Sequence, residues 1–222
     1  MDITVGQEAI TENTKAPFGT GWDTHAWVNM KTGSIGHTGY YDDGVNSAHE
    51  ALSANLAQVK VLCYADQGTA TGSEFTGFSG AITTRYVKAP KRGELTKAEG
   101  VYKVTGQIDK GQMLHTMKAA TASGRFNSVL SATVSSTGAV GYLQVPSMTL
   151  LSHATVKILH SSDDITYTTL LTFAACTASN TPTAQRITTT GKVEPYVAAD
   201  VTFASASSTG ASITYFAGIS RV

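Results

Sequence analysis

The residues of this chain that could do chemistry are thinly spread, and each group of them has a plainer use. His153 and His160, with Asp163 and Asp164 just beyond, form the densest set of candidate metal ligands. A histidine pair serves a metal only when both rings reach one point, and on a strand same-face residues fall at even offsets. His153 and His160 are an odd number of positions apart and therefore face opposite ways. The run His160-Ser161-Ser162-Asp163-Asp164 offers oxygens to a calcium ion, but such runs more commonly form a hairpin turn in which Asp bonds its own backbone. Asp42-Asp43-Gly44 sets two carboxylates side by side. Acid–base work needs surroundings that pull their protonation apart, and none is evident, so a turn leading into a helix is expected, where negative charge suits the helix dipole. No G-x-S-x-G elbow and no G-x-x-x-x-G-K phosphate loop occurs. Cys63 and Cys176 each lie among apolar or small neighbours and read as buried free thiols. The sequence thus names no catalytic residue, no metal ligand and no cofactor site, and an enzyme is not expected.

The aromatic residues are the stronger candidates for function. Trp22 and Trp27, Tyr40-Tyr41, and Phe75 and Phe78 could form a stacking platform for a sugar. Phe75 and Phe78 fall in Asp66 to Gly80, a stretch rich in Gly, Thr and Ser that reads as a long flexible loop. Aromatic anchors on such a loop suit docking against a neighbouring subunit, because a few aromatics carry much of an interface's energy; local packing is the alternative use. Phe18, Trp22, Trp27, Phe75 and Phe78 are the candidate interface residues.

Charge narrows the partners. Sixteen Lys and Arg balance sixteen Asp and Glu, whereas a protein that grips phosphates shows a basic excess. Sequence-specific DNA binding is therefore not expected, although a conduit that must not stick to passing DNA is compatible. Charged residues are only 14% of the chain, fewer than a small soluble monomer usually carries, which fits a surface largely covered by copies of itself. The N-terminus has no basic stretch followed by an apolar run, and no segment is long and apolar enough to span a bilayer. No membrane association is expected, and assembly in the cytoplasm is.

The elements that must position these residues are mostly strands. Composition shifts near Ser123-Gly124: eleven Lys/Arg and twelve Asp/Glu precede it, five and four follow. With Ala119 to Gly124 read as a small polar linker, two domains are expected, 1–122 and 123–222. The first opens with about 25 residues of weak pattern, then a strand over Thr32 to Tyr41 weakened by Gly33, Gly36 and Gly39. Ser47-Ala48-His49-Glu50 has the form of a capping box and Ala48, Ala51, Leu52 and Leu56 recur at helical spacing, predicting one short helix over 46–57. Strands are predicted over Gln58 to Ala65, Ala81 to Ala89 and Lys97 to Ile108, with a turn at Pro90 to Gly93. The second domain has no helix signal. Its strands are predicted at Phe126–Ser135, Val140–Val145, Ala154–His160, Tyr167–Phe173, Gln185–Thr190, Pro195–Phe203 and Ser212–Ser220, separated by Ser, Thr, Asp and Gly turns as in an antiparallel sandwich. The fold class is mainly β: a β-sandwich or barrel with one short helix, followed by a second antiparallel β-sandwich.

Three segments in order resemble phage tail tube proteins. Gly33-Ser34-Ile35-Gly36-His37-Thr38-Gly39-Tyr40-Tyr41-Asp42-Asp43 before the short helix is similar to the family's "GSL-x-x-x-G-F-[FY]-D". Ala16-Pro17-Phe18-Gly19 is similar to its "T-x-F-G", and Ile108-Asp109-Lys110-Gly111-Gln112-Met113-Leu114-His115 to its "[VL]-D-R-G-x-x-L-H". Val156 to Asp164, Gln185-Arg186-Ile187 and Tyr196-Val197 resemble the β-sandwich often appended to such subunits, with Glu194-Pro195 departing from its usual basic residue. The resemblance implies a virion protein that assembles with copies of itself, commonly six to a ring, and with other phage structural proteins around a lumen for DNA. It implies stacking of rings through the Asp66 to Gly80 loop and an arm from Met1 to Gly21, shorter than the extra strand usual in the family. Because the same fold serves in capsid cement or decoration proteins, a head-stabilising role is the alternative. A carbohydrate-binding adhesin module built on 124–222 is the second.

Overall fold

In the computed structural model, residues 2–14, 24–40, 57–65, 68, 70–89, 96–131, 134–149, 152–204 and 210–222 are described. Their order is β1 (Asp2–Thr14), β2 (Thr24–Tyr40), β3 (Val59–Tyr64), β4 (Glu74–Ala89), β5 (Lys97–Val104), β6 (Ile108–Ala120) and β7 (Gly124–Arg125). There follow β8 (Val129–Leu130), β9 (Ala139–Thr149), β10 (Ala154–Ser161), β11 (Thr168–Thr172), a 3-10 turn (Ala178–Asn180), β12 (Thr183–Thr189), β13 (Tyr196–Phe203) and β14 (Ser212–Arg221). The protein is mainly β with antiparallel sheets, as its alternating apolar and polar residues require. The predicted helix lies outside the described residues except for its last position, Ala57, and so does the predicted Pro90–Gly93 turn.

The chain forms two compact units, one of Met1–Lys60 with Ser79–Gln107, the other of Val61–Phe78 with Ile108–Val222. This division differs from the change in composition near Ser123, for a topological reason. Strand β14 pairs with β6 from Ile213↔Ala120 to Ile219↔Gln112, so the stretch after Ile108 belongs with the C-terminal half. Ala119 and Ala120, expected in a linker, are strand residues, and Ala120 is buried.

In the first unit β1 and β2 pair antiparallel from Asp2↔Thr38 to Thr14↔Thr24, with a bulge between Ala9 and Thr11. The N-terminal stretch, expected as a loose arm, is thus a strand; its own alternation is weak, and its partner makes it one. β2 then pairs with β5, and β5 with the Ala81–Ala89 part of β4. Gly33, Gly36 and Gly39 sit opposite Val104, Val101 and Ala98. A ladder on both sides of β2 offsets the strand-weakening entropy of its glycines.

The second unit is a sandwich. One sheet runs β4 (through Glu74–Phe78), β6, β14, β9, β12, and the other runs β11, β10, β13, with β7 and β8 both on β13. Along β10 the alternate residues Ala154, Val156 and Ile158 turn inward to meet Leu143, Val145, Ile213 and Tyr215. The larger sheet carries a second apolar cluster of Phe75, Met113, Val140, Tyr142 and Phe216, covered by Val61, Cys63 and Ala65. A sheet buried on both faces explains why β9 and β14 are nearly continuous in apolar residues rather than alternating. Among the described residues, the predicted strand Phe126–Ser135 is reduced to the two-residue β8, with β7 just before it, and both pair with β13.

Candidate functional site

The most concentrated polar site begins at Asp109, the second residue of β6. Tyr142 on β9 and Arg186 on β12 are register partners, so their side chains lie side by side on the same sheet face. The Arg186 guanidinium donates to Asp109 Oδ2 through Nη2 at 3.0 Å and Nε at 3.2 Å, and through Nε to the Tyr142 hydroxyl at 3.1 Å. The Tyr142 hydroxyl donates to the same carboxylate oxygen at 2.5 Å. The Arg186 and Asp109 side chains are only 15% and 16% exposed. Burial, then the bond to Asp109, pushes the Tyr142 phenol well above its ordinary value, so it keeps its proton at neutral pH. One carboxylate oxygen takes three donors, which is what a buried charge requires. The cluster ties β6, β9 and β12 together.

Space for the Tyr142 ring comes from Gly77, directly across from Asp109. A Cβ there would stand 2.6 Å from Tyr142 Cζ, and Phe75 closes the ring's other side edge-on at 5.6 Å. Phe75 and Phe78 are 0% exposed. The expectation of two aromatics on a flexible loop is thereby corrected: β4 starts at Glu74, its Gly77 admits a ring, and both phenylalanines are core residues with no surface to offer a neighbour. Phe18 and Trp22 lie outside the described residues, and Trp27 stands in β2 opposite Thr11.

Other residues singled out in the sequence are likewise internal supports. Gly111 packs so close to β14 that a Cβ would lie 2.2 Å from the Ile219 carbonyl oxygen. Leu114 is in the sandwich core. His115 stacks on Tyr215 with centroids 4.0 Å apart, meets Phe126 edge-on, and bonds the Tyr215 carbonyl through Nδ1 at 3.0 Å. A carbonyl only accepts, so Nδ1 carries the proton. Burial lowers the His115 pKa. Gln185 makes a reciprocal pair of bonds with Ala174, donating to its oxygen at 3.0 Å and accepting from its nitrogen at 2.8 Å. His160 Nδ1 accepts from the Glu194 backbone at 3.2 Å, and His153 is exposed. Asp163 accepts from the nitrogens of Thr166 and Ile165, both at 2.9 Å, and from the Ser161 hydroxyl. Those bonds hold its carboxyl down at about 2, the self-bonded turn that the sequence favoured over an ion site. Among the described residues no group of three or more His, Cys, Asp or Glu is placed to hold a metal. Cys63 and Cys176 are free, and burial raises both thiols, Cys63 to about 12. Sequence reasoning named Asp109 and Arg186 through the resemblance but missed Tyr142 and Gly77, whose only signal is their contact.

The strand edges differ between the units. In the second, the β13 edge is occupied by β7 and β8, and Gln185 clamps β12 across to Ala174. In the first, β1 stands last in the strand order, with β2 its one partner among the described residues. A thirteen-residue edge strand presents a row of backbone donors and acceptors, which proteins usually blunt or cover.

No protein-family model and no curated protein matches the chain. The solved structures that overlay it loosely include two from gene transfer agent particles. One, a virion of a native gene transfer agent particle, is 12% identical with a TM-score of 0.31, covering 48% of this chain and 80% of the other. The second, the tail of an empty gene transfer agent particle with C6 symmetry, is 14% identical with a TM-score of 0.28, covering 48% and 76%.

Proposed function

We propose that the chain is a non-enzymatic structural subunit of a phage-like virion, whose copies join into tail tube rings around a passage for DNA. The observation that carries this reading is the outer edge of β1, which no other strand among the described residues covers. In an antiparallel edge every second residue points its N–H and C=O away from its partner, so a strand from a second copy can add to β1 by backbone bonds alone. When the added strand is one other than β1, the contact is head-to-tail and closes into a ring or continues as a filament.

Two further observations support it. Of the residues through which the sequence resembles tail tube proteins and the sandwich often appended to them, Asp109, Gly111, Leu114, His115 and Arg186 build the second unit's interior, as motif residues of a structural protein would. The balanced charge suits a lumen that lets DNA pass without gripping it.

Negative-stain microscopy of the concentrated full chain tests the reading. Long hollow rods are expected. A monodisperse monomer at every concentration overturns it, and binding to capsid shells without rods transfers the chain to a head-decoration role.

A further inference from the structure

We draw no further inference here: the strongest candidate, the cavity of about 130 Å³ where Cys63 of β3 meets Met113 and Met117 of β6 on the outer side of the second unit's larger sheet, carries nothing, because nothing in the structure shows what covers it.

Discussion

Removing Arg186 tests whether the Asp109–Tyr142–Arg186 cluster is a structural clamp. In Arg186→Met the aliphatic stem remains and the charge goes, leaving the Asp109 carboxylate 16% exposed with the Tyr142 hydroxyl as its remaining donor in the cluster. Breaking one side of a buried ion pair costs about 3–5 kcal/mol. The residual exposure and the surviving phenol bond place this case at the low end, about 3 kcal/mol. Asp109→Asn should cost a similar amount, because the largely buried guanidinium keeps its charge and loses the carboxylate that balances it. The double variant removes both charges together and should cost about 3 kcal/mol rather than the sum, a coupling near the top of the ~0.5–3 kcal/mol range for residues in one network. Scanning calorimetry reads each loss as a fall in midpoint of about 2–4 °C per kcal/mol for a chain of this size, so the single variants should fall by about 6–12 °C. Single variants within about 0.5 kcal/mol of wild type, or strictly additive losses, would refute the reasoning. They would mean that water and side-chain movement already satisfy the carboxylate.

The remaining predictions concern packing and pH. Gly77→Ala places a methyl against the Tyr142 ring, which Asp109 and Arg186 hold by its hydroxyl, so overpacking of about 1–3 kcal/mol is expected; denaturant unfolding should show most of it relieved in a Tyr142→Leu background. His115 has a folded-state pKa below its ordinary 6.5, because burial disfavours the imidazolium. The unfolded chain then binds the extra proton more readily. Stability should be full above pH 6.5 and fall as the pH drops from there toward the folded-state value. His160, lowered for the same reason, adds to the slope. His115→Gln should flatten that part of the midpoint-against-pH curve, and a rise in wild-type stability on acidification through it would contradict the assignment.

How far the sequence could be read depended on whether a residue's partner lies nearby in the chain. β9 to β14 were legible because each alternates or runs apolar and is bounded by turn residues. Asp163 was legible because its bonds reach only Ser161, Ile165 and Thr166. The Gly-rich stretch before Gly80 was misread because glycine signals a loop unless the ring that fills its space is known, and Tyr142 is far along the chain from Gly77. β1 was missed for a similar reason, since its order comes from pairing with β2 rather than from its own pattern. The compact units differ from the division at Ser123 because composition does not reveal that the C-terminal strand returns to β6. Asp109 and Arg186 were visible as parts of motifs, but their meeting on one carboxylate oxygen appears only in the fold.

Amide hydrogen exchange over Asp2–Thr14, compared between dilute and concentrated protein, probes the central claim most directly. If neighbouring copies complete the sheet, alternate amides of this strand, those facing away from β2, should exchange freely when dilute and become protected on concentration. Equal exchange of those amides in both states would contradict the account.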